Sequence, residues 1–187
     1  MSKVFRAVIK DIIIMKPNVI NDSRGYFLES FRNSFLQGVG CDANFIQDNQ
    51  VRSHKGALRG LHYQLKSPQG KLVWVSQGSV LDVAVDIRLN SPTFSKWFSI
   101  VLDDKKHARV YIPPGFAHGY YVLSESSVFH YKCTSYYDSN DEYGIYWDDP
   151  NLCINWPDGE KIVSKKDSVL QLLSKIDKKN LPKYNSL

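Results

Sequence analysis

The chain has 187 residues, with 24 lysines and arginines against 19 aspartates and glutamates, a formal charge of +5 with histidine neutral. That length suits one domain, and 43% hydrophobic with 23% charged residues excludes disorder for the bulk of it. The basic residues are scattered except for Lys175, Lys178, Lys179 and Lys183, without the stripe and reading element of a nucleic-acid binder, so no nucleic acid is expected as a partner.

In chain order, Phe5 to Glu29 reads as two short strands around the polar turn Asn21-Asp22-Ser23-Arg24-Gly25. The apolar run there, Ile12 to Met15, is far too short for a membrane span or signal core, so a cytoplasmic protein without membrane contact is expected. A helical turn is predicted within Ser30 to Leu36, then extended chain from Phe45 to Arg52, a turn at Ser53-His54-Lys55-Gly56 and a strand from Leu58 to Leu65. Lys71 to Val75 is a strand, Gln77-Gly78 reads as a hairpin turn, and Val80 to Ile87 alternates with period two. Asp82, Asp86 and Arg88 in that stretch read as a polar face or salt bridge, and His54, His107 and His130 as structural or exposed. Further strands follow at Trp97 to Leu102, Ala108 to Ile112, Gly119 to Leu123 and Val128 to Tyr136.

Many short strands without intervening helices indicate an all-β sandwich or barrel such as a jelly roll. A last helix is expected from about Ser164, capped by its hydroxyl with Asp167 as box partner, and with Val169, Leu172, Leu173 and Ile176 as its apolar face. The whole chain, 1–187, then forms one domain with a C-terminal helical tail. Cys41, Cys133 and Cys153 are odd in number and lack metal spacing, so reduced thiols are expected.

Ile112-Pro-Pro-Gly-Phe-Ala-His118 has the Pro-x-Gly-x-x-His form of a cupin's second motif. A cupin metal site also needs a His-x-His pair, and in Gly60-Leu-His-Tyr-Gln64 the second position is Gln64. One histidine from each motif is a thin set for a divalent ion, so no metal is expected.

Taken together, several long motifs resemble the dTDP-4-dehydrorhamnose 3,5-epimerase family. They are Gly25-Tyr-Phe-Leu-Glu29, Gln47-Asp-Asn49, Leu58-Arg-Gly-Leu-His-Tyr-Gln64, Gln69-Gly-Lys71-Leu-Val, Asp82-Val-Ala-Val-Asp-Ile-Arg88, Ile112 to Gly119, Tyr131-Lys-Cys-Thr134, Trp147-Asp-Asp-Pro150 and Ser164-Lys-Lys-Asp167. The resemblance runs from about residue 5 to residue 170. It implies a cupin-type jelly roll (double-stranded β-helix), a homodimer with exchanged N-terminal strands, no metal and no organic cofactor. The implied substrate is a nucleotide-diphosphate 4-keto-6-deoxy sugar, epimerised at C3, C5 or both for deoxysugar and surface polysaccharide synthesis.

Protons on carbons flanking a ketone leave as an enolate forms, and return of a proton to the opposite face inverts the centre. That chemistry needs a base and an acid facing each other, with a cation on the enolate oxygen. By resemblance His62 is the base, Asp167 orients it, Tyr131 is the acid and Lys71 neutralises the oxygen. Arg24, Glu29, Gln47, Asn49, Arg59, His118, Glu142 and Lys166 match positions that contact substrate, and Tyr137 matches the aromatic that stacks on the base. Simple alternation sends Arg59 and His62 to opposite faces, and a bulge at Gly60 is predicted to bring both inward.

Departures from the family are Trp74, where arginine often follows Lys-Leu-Val, and Asn90 and Ser95 in place of common glycines. Rival readings are a monofunctional 3- or 5-epimerase on a GDP- or CDP-linked hexose or heptose, and a 3,4-ketoisomerase. A metal-dependent cupin and a non-catalytic sugar-nucleotide-binding jelly roll complete the alternatives.

Overall fold

The computed structural model describes residues 2–184. Fourteen strands and one short α-helix are found among them: β1 (Lys3–Arg6), β2 (Ile13–Lys16), β3 (Val19–Asp22), β4 (Gly25–Leu28), α1 (Asn33–Gln37), β5 (Gln47–His54), β6 (Ala57–Gln64) and β7 (Lys71–Gln77). There follow β8 (Ser79–Asp86), β9 (Trp97–Asp103), β10 (Arg109–Ile112), β11 (Phe116–Val122), β12 (Ser126–Cys133), β13 (Glu142–Gly144) and β14 (Ile162–Val163). One sheet runs β1-β2-β10-β7-β12-β5 and the other β13-β6-β11-β8-β9, with β14 beside β6. The hairpin β3-β4 pairs with neither.

Period-two patterning explains the layers. Val73, Val75 and Phe129 of the first sheet meet Val80, Ala84 and Tyr120 of the second in the central core. The opposite face of the second sheet carries Leu61, Tyr63, Val83 and Val85, and the C-terminal Leu173 and Leu181 cover it. Ile13, Met15, Leu72 and Tyr111 on the back of the first sheet pack against Leu36 of α1. Both faces of β8 are therefore buried, and Asp82 and Asp86 with them, at 1% and 0% exposure. Asp86 forms the expected ion pair with Arg88, whereas Asp82 lies in the interior rather than on a polar face.

Two sequence expectations are corrected. Gln77-Gly78 is not a hairpin turn: β7 pairs with β10 and β12 and β8 with β9 and β11, so this corner carries the chain from one sheet to the other. The helical end consists of three short 3-10 turns, Asp167–Val169, Leu173–Lys175 and Lys178–Asn180, instead of one helix with a continuous apolar face. Val169 points to solvent at 78% exposure while Leu173 is buried, because each turn is placed by its own contact with the sheet. Asn90 and Ser95, the non-glycine residues at positions where glycine is common, take left-handed φ of 68° and 61°.

The bulge at Gly60 is present. Tyr120 pairs with Arg59 and His118 with His62, so three steps on β6 oppose two on β11. Gly60 has φ +119°, and a Cβ there would lie 2.6 Å from the Gly119 Cα and 2.7 Å from the His118 carbonyl oxygen. Backbone meets backbone at this point, which leaves no flexible atom to move aside. Gly60→Ala is accordingly expected to lower the unfolding free energy by about 2 kcal/mol or more. Urea titration checks this, and an unchanged midpoint would show that the bulge relaxes.

Candidate active site

The extra residue in β6 turns Arg59 and His62 to the same side, into a cavity of about 430 Å³ between the sheets. Lys71 from β7, His118 from β11, Tyr131 from β12, and Lys166 and Asp167 from the C-terminal segment line the same cavity. Its apolar floor includes Phe129 and Tyr120, stacked with ring centroids 4.1 Å apart. An adjoining chamber of about 210 Å³ adds Gln47, Asn49, Tyr137 and Glu142, and His62, Lys71 and Tyr131 line both chambers. The three groups on which the proposed chemistry turns therefore share one space.

His62 Nε2 lies 2.7 Å from Asp167 Oδ1, and the other carboxylate oxygen accepts the Gly60 N–H at 3.3 Å. Burial opposes the charge on Asp167, but hydrogen bonding and charge from His62, the Gly60 N–H and nearby Lys166 outweigh it and hold the carboxyl below its ordinary range. An ionised carboxylate can only accept, so Nε2 carries the hydrogen and Nδ1 keeps its lone pair. The sequence sets capping against pairing for Asp167, and both oxygens of its side chain are engaged by Gly60 and His62 rather than by the start of a helix. Its backbone N–H donates to Ser164 Oγ at 3.0 Å, while the side chain holds the imidazole.

Lys71 sits opposite Cys133 in the β7–β12 register and follows Gly70, which Thr134 pins through two hydrogen bonds of 2.8 and 3.0 Å. Burial lowers the pKa of its ammonium, with Cys133, Glu142 and Asp82 pulling the other way. No hydrogen bond from that ammonium is found among the described residues, which leaves its donors free for whatever enters. Tyr131 shares the inward face of β12 with Phe129 and Cys133, and burial pushes its phenol up to about 12. A phenol so placed stays protonated at neutral pH.

Gln64, where a metal cupin has histidine, has another task. Its amide donates to the carbonyls of Ser67 and Tyr136 and accepts the Asp138 N–H, at 2.8, 3.1 and 2.9 Å. These bonds fix the loop that carries Tyr137, and Gln47 adds another by accepting the Tyr137 N–H at 2.8 Å. Among the described residues no cluster of three or more histidine, cysteine or acidic side chains is arranged to hold a metal ion. His118 Nε2 pairs with Asp82 Oδ2 at 2.7 Å, a contact that sequence reasoning missed. The pair joins β8 and β11, and no local pattern in either strand marks it.

Arg24 and Glu29 stand apart from the cavity. Arg24 pairs with Asp22 in the β3-β4 turn and its side chain is 88% exposed, while Glu29 accepts from Arg32. Every other predicted site residue lines one of the two chambers.

A two-sheet jelly roll here sets a histidine–aspartate pair, a lysine and a tyrosine around one cavity, an arrangement equipped for acid–base chemistry. The dTDP-4-dehydrorhamnose 3,5-epimerase family model matches residues 6–175. A dTDP-4-dehydrorhamnose 3,5-epimerase of Methanothermobacter thermautotrophicus is 46% identical over 158 residues, 83% of this chain and 85% of the relative. The Legionella pneumophila dTDP-6-deoxy-D-glucose-3,5-epimerase, solved with dTDP-4-keto-L-rhamnose, superimposes with a TM-score of 0.96 at 45% identity over 100% of both chains. A 3′-monoepimerase of Streptomyces bikiniensis, solved with dTDP-quinovose, gives 0.90 at 34% identity over 96% and 93% of the two chains. The chain belongs to the dTDP-4-dehydrorhamnose 3,5-epimerase family.

Asp167 ties acid stability to the site. Its folded pKa lies below the ordinary aspartate value of 3.8, so its contribution is fully present above about pH 4 and is lost as pH falls through the folded value. Asp167→Asn should therefore lower the urea midpoint at pH 6 and narrow the gap to wild type near pH 2. Parallel loss at both pH values would contradict this.

Proposed function

We propose that this protein is a cofactor-independent epimerase that inverts C3 and C5 of dTDP-linked 4-dehydrorhamnose precursors, in the synthesis of an activated deoxysugar. The observation that carries the reading is the convergence of His62, Lys71 and Tyr131 on one cavity, with His62 held by Asp167. His62 Nδ1 takes the proton from a carbon beside the C4 ketone, and the charge moves onto the ketone oxygen. Lys71 faces that oxygen with an ammonium shielded from water, where preorganised charge contributes most to lowering a barrier. Tyr131 gives its proton to the opposite face, and the centre is inverted.

Around this core, Arg59, His118 and Lys166 bind the sugar diphosphate, Arg59 by the forked donors that suit phosphate. Gln47, Asn49 and Glu142 line the neighbouring chamber, and Tyr137 offers its ring to the nucleotide base. A doubly charged nucleotide sugar does not cross a bilayer unaided, so the enzyme is read as working in the cytoplasm. Among the described residues no helix is long and apolar enough to cross a membrane.

We read the protein as a homodimer that exchanges its N-terminal hairpin. Support comes from β3-β4, which lies outside both sheets and exposes Ile20, Tyr26 and Phe27 at 55%, 57% and 67%. Ile20 pairs with Phe27 across the hairpin with Tyr26 beside it, and a contiguous exposed apolar patch favours a covering surface. Arg24 and Glu29 then complete the site of the other copy. Inversion at one centre only is the second reading, favoured by the likeness to the 3′-monoepimerase.

In heavy water with a dTDP-linked 4-keto-6-deoxyhexose, the wild-type protein is expected to incorporate deuterium at C3 and C5, followed by NMR. His62→Asn should lose exchange at both centres while remaining folded, by about 10²-fold or more. Tyr131→Phe should keep exchange without inversion at one centre at least. Equal loss in both variants would overturn this division of roles, and exchange confined to one position would select the second reading. For the hairpin, mixed Arg24→Ala and His62→Asn proteins should regain activity that neither has alone. Failure to complement after subunit exchange would place Arg24 in its own chain's site or in none.

A further inference from the structure

One inversion leaves His62 with a proton too many and Tyr131 with one too few. Before the pair can act at a second carbon, or on a second molecule, the imidazolium must release its proton to solvent and the phenolate must recover one.

The route through Nε2 is closed. That nitrogen is bound to Asp167, whose side chain is 5% exposed and whose other oxygen is taken by the Gly60 N–H. The opposite nitrogen is differently placed: His62 Nδ1 lies 3.8 Å from Glu142 Oε1. Glu142 Oε2 accepts the Tyr137 phenol at 2.7 Å and also pairs with the Lys166 ammonium. Both of those partners stand at the rim, since the Lys166 side chain is 54% exposed and Tyr137 is 53% exposed. The Glu142 side chain is 13% exposed and that of His62 25%, and Glu142 stands between the imidazole and the two rim groups.

We propose that Glu142 is the proton exit of the site, the carboxylate that takes the proton from His62 Nδ1 after each inversion and hands it to solvent. The inference rests on His62 being the base. At 3.8 Å the carboxylate is outside hydrogen-bond distance, which leaves the Nδ1 lone pair free for the substrate carbon. After inversion the new C–H bond points to the far face, and Glu142 is the carboxylate that faces the Nδ1 hydrogen.

The balance closes without electron transfer. The N–H bond breaks as an O–H bond forms on Glu142, that O–H passes its proton to water, and the Tyr131 phenolate takes a proton from water in return. The charged and titratable groups facing Glu142 are His62 from β6, Lys71 from β7, Tyr131 from β12, and Tyr137 and Lys166 from the two rim segments. Burial opposes ionisation of Glu142, but Lys166, Tyr137 and His62 together hold its pKa below the ordinary value. The carboxylate thus stands ready to accept and keeps the proton only in transit.

Glu142→Gln preserves shape and removes proton acceptance. Rapid-quench NMR in heavy water, with a dTDP-linked 4-keto-6-deoxyhexose in excess, should show a fast burst of about one deuterium per site. A steady phase slower than wild type by roughly 10²-fold should follow. Formate or acetate should restore the slow phase without changing the burst, an effect that a loss of positioning alone would not produce. A burst slowed as much as the steady phase, a higher KM at unchanged kcat, or turnover equal to wild type would each overturn the proposal. If the wild-type protein itself exchanges no deuterium, the epimerase reading fails instead.

Discussion

A single carboxylate, that of Asp167, joins the bulge in β6 to the imidazole of His62. One oxygen holds the Gly60 N–H and the other holds His62 Nε2, so strand geometry and histidine tautomer are set by the same group. The bulge turns Arg59 and His62 to one side, and the tautomer leaves Nδ1 as the free base. Because Asp167 is buried and ionised, breaking this link would strand a charge inside the protein, at a cost that discourages other arrangements.

The rest of the site follows from where the two sheets meet. The register of β7 against β12 puts Lys71 opposite Cys133 and Tyr131 opposite Val73, which sets the ammonium and the phenol on the inner surface. Burial raises the phenol's hold on its proton and loosens the ammonium's. Gln64 does mechanical service where a metal cupin would have a ligand, fixing the loop that brings Tyr137 to the rim.

Much of this was legible in the residues because it depends on local rules. Period two marked the strands, and the clash between alternation and function at Arg59 and His62 called for the bulge at Gly60. What could not be read depends on which sheet a strand joins. Gln77-Gly78 looks like any hairpin turn, since alternation carries no record of partner choice. The spacing of Val169, Leu172, Leu173 and Ile176 fits a helix, yet tertiary contacts bind Leu173 and release Val169. Pairs such as His118 with Asp82, or Glu142 with Lys166, join distant segments and leave no mark on either.

The account stands on a base and an acid that address opposite faces of one ring. A crystal structure with a dTDP-linked 4-keto-6-deoxyhexose bound is the most direct measurement. It should show His62 Nδ1 and Tyr131 Oη on opposite faces of the sugar, with Nδ1 about 3–3.5 Å from C3 or C5 and the Lys71 ammonium on O4. A ring bound with both groups on the same face, or with Lys71 turned from the ketone, would contradict it.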